Sequence, residues 1–145
     1  MSRVAVRTSA TNANRFFFDF DLAAPGGRGG ASLLIDGSQR LVSIDGVHKN
    51  RLAPPRSTGG LITEGLGRTG ITHPLILEGY NVDKTTTAVL NSGSSGIGTL
   101  IGNLLADVAE ALGAEILRWE SEREGGTWHL RIHLSYPQSV RSSPL

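Results

Sequence analysis

The residues in this chain with the most chemistry lie on two alternating segments in its last third. Between Thr127 and Tyr136, Trp128, Leu130, Ile132, Leu134 and Tyr136 fall on one side, and Thr127, His129, Arg131, His133 and Ser135 on the other. Upstream, Leu117 and Trp119 alternate with Arg118, Glu120 and Glu122. Gly125-Gly126 between the segments is a two-residue hairpin turn. With those glycines as the loop, Leu117 faces Leu134 and Trp119 faces Ile132. On the other face Arg118 meets His133, Glu120 meets Arg131 and Glu122 meets His129. Glutamate, arginine and imidazole on one surface can move protons and stabilise developing negative charge. Glu120 would be the base, His133 or His129 the acid, and Arg131 the clamp on a phosphate. The competing reading is a solvated sheet face of paired charges, each pair worth little.

In residue kinds and sheet placement this face resembles the small metal-independent ribonucleases of the barnase type. That resemblance implies RNA as substrate and no cofactor. His133-Leu-Ser135 also fits half of the paired His-x-Ser/Thr signature of the 2H phosphoesterases, and the chain has no second copy. No metal site is expected. The chain has no cysteine, and His129 and His133, four residues apart on a strand, would stand roughly 13 Å from each other.

A second cluster is Asn91-Ser-Gly-Ser-Ser-Gly-Ile-Gly98, which leads into a helix. It resembles the dinucleotide loop of short-chain dehydrogenases, and Tyr80 and Lys84 have the Tyr-x-x-x-Lys spacing of that family. The two motifs stand in reversed order, the chain is too short for that family's sheet, and a hairpin follows the helix. The dehydrogenase activity therefore does not carry over. What remains is an anion site: Gly93, Gly96, Gly98 and Thr99 at a helix N-terminus, where bare backbone N–H groups take phosphate. His48, Lys49, Arg51 and Arg56 form the local basic cluster, with Lys49 and Arg51 as expected phosphate contacts. The competing readings are a connection that needs small residues and an exposed basic loop. No Gly-Lys-Ser/Thr follows the glycines, so a Walker loop is excluded.

The elements that must position these residues follow from periodicity. Leu100, Ile101, Leu104, Leu105, Val108 and Leu112 recur at helical spacing, with Thr99 as N-cap and Gly113 as the stop. In Arg15–Leu22, Phe16, Phe18, Phe20 and Leu22 share a strand face. Arg3–Thr8 reads as an edge strand, and Ala31–Ile35 with Arg40–Ile44 as a hairpin. Pro74–Tyr80 and Thr85–Leu90 read as strands joined by a turn at Asn81–Lys84. Pro25–Gly30 and Gly46–Gly60 read as loops, and Leu61–Thr69 as a short helix weakened by Gly65 and Gly67. The expected fold is α+β: a mainly antiparallel sheet with one principal helix, about residues 99–112, packed on it. Strands and helices do not alternate regularly, so a doubly wound parallel sheet is disfavoured.

The 145 residues suit a single domain, 1–145, with 137–145 as a loose tail. Hydrophobic content of 39% and charged content of 19% fit a soluble globular chain. Net charge is only +1, so composition alone does not argue for nucleic acid. No apolar run approaches spanning length and no signal peptide is evident, which makes cytoplasmic the default compartment. The helix Gly98-Thr-Leu-Ile-Gly-Asn-Leu-Leu105, the Ala111-Leu-Gly113 stop and the strand Leu130-Arg-Ile-His-Leu-Ser-Tyr136 resemble the C-terminal toxin modules of bacterial polymorphic toxin systems. That resemblance implies a small nuclease and an immunity protein as partner. Three functions stay open: a metal-independent ribonuclease, a phosphate- or nucleotide-binding module built on residues 91–98, and a non-catalytic interaction or assembly domain.

Overall fold

Arg15–Leu22 forms a strand whose Phe18, Phe20 and Leu22 are buried on one side while Asp19 is exposed on the other. Period-two alternation of this kind builds a sheet with one face in the core. The chain is described by a computed structural model that covers residues 2–22, 26–52, 57–79, 88, 90–93 and 97–137. In chain order its elements are β1 (Ser2–Thr8), β2 (Arg15–Leu22), β3 (Gly27–Asp36), β4 (Leu41–Lys49), α1 (Thr58–Thr69), β5 (Ile76–Gly79), α2 (Leu100–Leu112), β6 (Glu115–Glu124) and β7 (Thr127–Ser135).

Among the described residues seven strands form one sheet in the order β1-β2-β3-β4-β5-β7-β6. Every neighbouring pair is antiparallel except β4 and β5, which run parallel with α1 as the crossover between them. The sheet is thus mixed, and the α+β class stands with the sheet dominating. The expectation of one principal helix does not. α1 and α2 are of similar length, and they pack against each other and on one face of the sheet. Leu61, Ile62 and Leu66 of α1 and Leu105 and Val108 of α2 close the core over Phe18, Leu33, Val42, Leu77 and Ile132.

The glycines that weaken α1 on propensity are what let it pack. A methyl group added at Gly59 would lie 2.6 Å from Asp107 Cβ of α2, and one at Gly65 would lie 2.5 Å from the Phe18 ring. Each costs about 1 kcal/mol of helix propensity, and tertiary contact offsets it. α2 has the expected ends. Thr99 Oγ1 accepts from the Gly102 N–H at 3.1 Å, and Gly113 stops the helix at φ 76°.

Four further expectations are corrected. Gly27–Gly30 is not loop but the start of β3, paired with β2; a methyl group added at Gly30 would stand 2.8 Å from both His48 Cε1 and the Phe18 carbonyl oxygen. β4 runs on to Lys49, so His48 and Lys49 are strand residues. In the stretch Thr85–Leu90, read as strand, the described residues Ala88 and Leu90 are helical. Leu117 does not face Leu134: the pairing shifts between Ile116 and Arg118, Ile116 takes the position opposite Leu134, and Leu117 is 65% exposed. A bulge of this kind inserts one unpaired residue and bends the edge strand. The turn expected at Asn81–Lys84, the Tyr80 and Lys84 pair, and the tail beyond Pro137 lie outside the described residues.

Candidate functional site

Beyond the bulge the hairpin has the register its turn demands. Arg118 pairs His133, Trp119 pairs Ile132, Glu120 pairs Arg131 and Glu122 pairs His129. Gly125 opens the turn at φ 64°. Leu130, Ile132 and Leu134 point into the core, so His129, Arg131 and His133 must point to the opposite face of the sheet. α1 and α2 lie on the core side, and this second face has neither of them over it.

β7 does not pair only with β6. On its other side runs β5, where Glu78 is the direct partner of Arg131, and Ser43 of β4 is the direct partner of Glu78. One row of side chains therefore crosses four strands: Ser43, Glu78, Arg131, Glu120. Ser43 Oγ donates to Glu78 Oε1 at 2.7 Å, and Arg131 Nε donates to Glu78 Oε2 at 2.7 Å. Arg131 Nη2 donates to Glu122 Oε1 at 2.8 Å, while its Nη1 stays 3.9 Å from Glu120 Oε1. Glu78 and Ser43 are buried. A buried carboxylate needs such partners, and here both of its oxygens have one.

Glu120 turns instead to the diagonal neighbour. Its Oε1 lies 2.9 Å from His133 Nε2. The same nitrogen lies 3.4 Å from Arg118 Nη2. With a proton on Nε2 the imidazole donates to Glu120; without it the lone pair accepts from Arg118. The atom that would carry a transferable proton thus faces one group of each charge. The hydrogen bond from His133 is the main reason the Glu120 carboxyl is held below the ordinary glutamate range, with smaller help from the charges of His133, Arg131 and Arg118. Burial works to lower the Arg131 pKa, and the hydrogen bonds to Glu122 and Glu78 outweigh it and leave the pKa raised.

The structure brings Glu120, Arg131 and His133 together. His129 is apart from them: it is buried, and its Nε2 lies 3.1 Å from Glu124 Oε1 near the hairpin turn. Glu122, its register partner, is engaged by Arg131. The anion candidates lie elsewhere. Gly93 and Gly98 have φ of 85° and 89°, and Thr99 caps α2. Gly96 and Arg56 fall outside the described residues. Trp128 Nε1 donates to Asn91 Oδ1 at 2.8 Å, which ties the start of the glycine segment to β7. Lys49 ends β4, and Arg51 is exposed just beyond it. Among the described residues no group of three or more His, Asp or Glu is arranged to hold a metal ion.

Sequence reasoning missed Ser43 and Glu78. For Glu78 a signal existed: it is the lone charge in Leu75-Ile-Leu-Glu-Gly79, and a charge inside an apolar strand is seldom buried without a partner. Ser43 carried no comparable mark.

No family model matches the chain, and no curated protein matches it. Among solved structures it is similar to nourseothricin acetyltransferase, at 17% identity over 94% of this chain and 88% of that one, with a TM-score of 0.40. It is also similar to a protein of unknown function from Aquifex aeolicus VF5, at 15% identity over 97% of this chain and 74% of that one, with a TM-score of 0.38. Backbones that superpose this loosely carry no chemistry from one protein to another.

Proposed function

We propose that the polar sheet face is a proton-transfer site for metal-independent cleavage of RNA. The observation that carries this reading is the 2.9 Å contact between Glu120 Oε1 and His133 Nε2, on a face that neither α1 nor α2 covers. Glu120, kept ionised by its depressed pKa, takes the proton of a ribose 2′-hydroxyl. The 2′-oxygen then forms a bond to phosphorus as the bond to the 5′-oxygen breaks. Protonated His133 gives its proton to that leaving oxygen, and the products are a 2′,3′-cyclic phosphate and a free 5′-hydroxyl. The arginines of the same face offset charge on the equatorial oxygens. In-line displacement puts the two reacting oxygens on opposite sides of phosphorus. The direct Glu120–His133 hydrogen bond is therefore the resting arrangement, and the phosphodiester takes its place between the two groups.

The test is incubation of the full chain with bulk RNA and with DNA of matched length in EDTA. RNA cleavage that leaves DNA intact, and that is lost in Glu120→Gln and His133→Ala, supports the assignment. Intact RNA, or cleavage that survives both substitutions, removes it. A small nuclease of this kind would suit a toxin module held inactive by an immunity protein.

The 91–98 segment supports a different role, phosphate or nucleotide binding. Gly79, at the carboxyl end of β5, packs against Ile101 in the first turn of α2. The N-terminus of α2 thus meets the carboxyl end of the parallel β4–β5 pair, where open sheets place phosphate ligands. Thermal stabilisation by inorganic phosphate that persists in His133→Ala would favour that role. A concentration-dependent mass with neither cleavage nor stabilisation would favour an assembly domain.

A further inference from the structure

We propose that Arg118, not Arg131, is the cation that touches the substrate phosphate, and that Arg131 is a positioning residue held by Glu78. The inference rests on the phosphodiester reading of the Glu120–His133 face. Arg131 is the arginine that hairpin register places opposite Glu120, but two of its three nitrogens are already hydrogen-bonded to carboxylates. Nε is given to Glu78, Nη2 to Glu122, and Nη1 points toward Glu120. Its side chain is 23% exposed, with carboxylates on both flanks. A phosphate approaching that guanidinium from solvent would meet the exposed Glu122 and Glu120 carboxylates first and would have to break a charge-assisted hydrogen bond to reach it.

Arg118 stands differently. It is an exposed residue of the edge strand β6, and its hydrogen-bonding contact is the 3.4 Å approach to His133 Nε2. That contact exists only while His133 lacks its Nε2 proton. When His133 is protonated to act as the acid, the Arg118 guanidinium is released beside it and can take a phosphate oxygen. The hairpin turn sets this geometry, since Arg118 pairs His133 in the register that Gly125-Gly126 fixes. The bulge at Leu117 acts on the other side of Arg118: it lets Ile116, in place of Leu117, pair Leu134 and pack against the core. The site then has a division of labour. Glu78, seated on Ser43, holds Arg131; Arg131 gathers Glu122 and lends its field to Glu120. Arg118 remains available for the ligand.

The test titrates the full chain with inorganic phosphate and with a ribonucleoside 3′-monophosphate, read by the imidazole signals of His133 in two-dimensional NMR, with His73, in the segment before β5, as internal control. Saturable shifts at His133 are expected. Arg118→Gln should weaken binding about tenfold or more, and Arg118→Lys should recover part of it, since an ammonium keeps the charge without the fork. Arg131→Lys should instead lower Tm by several degrees and cost less affinity than Arg118→Gln. The reverse order of affinities, with Arg131→Lys worse than Arg118→Gln, overturns the assignment and returns the clamp to Arg131. An absence of any His133 shift in the parent chain removes the phosphodiester reading itself, and this inference with it.

Discussion

Gly65 of α1 rests directly on Phe18 of β2: a methyl group at Gly65 would stand 2.5 Å from the ring carbon Cε2. Helix and sheet meet there without a side chain between them. Gly65→Ala should therefore destabilise by about 1–3 kcal/mol through overpacking, even though alanine is the better helix former. Gly67, on the same helix, has open space at its Cβ position. Gly67→Ala should stabilise by about 0.5–1 kcal/mol. Thermal or urea unfolding of the two variants checks the pair, and shifts of the same sign would contradict this packing.

Glu78 satisfies both Ser43 and Arg131 from within the sheet. Glu78→Ala would leave a partly buried guanidinium and a buried hydroxyl without their acceptor. A loss of about 2–4 kcal/mol is expected in denaturant unfolding, with Glu78→Gln losing less because it keeps an acceptor oxygen.

Thr99 caps α2 by accepting from Gly102 N–H. Thr99→Ala should cost about 1 kcal/mol, and Thr99→Ser should stay close to the parent. If the 91–98 segment also binds phosphate, the alanine variant should lose part of the stabilisation that added phosphate provides.

Glu120 titrates below the ordinary glutamate range, chiefly through the hydrogen bond from His133. The sign follows from the direction. The interaction is present above the unfolded pKa of about 4.3 and is lost as pH falls through the depressed folded value. Carboxyl-carbon NMR should place the Glu120 midpoint below about 4.3, and His133→Ala should move it upward. The acid limb of any RNA cleavage should likewise lie below that value.

Tyr136 shifts the other way. Its hydroxyl donates to the Pro74 carbonyl at 2.6 Å, and burial pushes its pKa up to about 12. The fold favours the neutral phenol. That contribution is complete below the unfolded pKa of about 10 and is lost as pH rises toward 12. Ultraviolet titration should show a phenolate appearing near pH 12, absent in Tyr136→Phe. That variant should lose about 1 kcal/mol at neutral pH.

Local periodicity read well where it was strong. β2, α2 and the β6–β7 hairpin were legible because alternation, helical spacing, a threonine cap and a Gly-Gly turn each constrain the backbone within a few residues. It failed where the pattern had no side chains to show. Gly27–Gly30 looked like a break, yet glycine is what allows β3 to lie beneath His48. α1 looked weak for the same reason. The bulge at Leu117 could not be read either, because Ile116 and Leu117 are both apolar and either could have faced Leu134.

By itself, the sequence determined one half of the polar row, Glu120 opposite Arg131, since a two-residue turn sets register across a hairpin. Only the tertiary structure decided the other half. Ser43 and Glu78 are 35 residues apart, and Glu78 and Arg131 are 53 apart. They meet because α1 carries the chain across to a parallel β5 and α2 returns it so that β7, rather than β6, lies next to β5. Strand order is a property of how helices cover a sheet, and no short-range spacing encodes it.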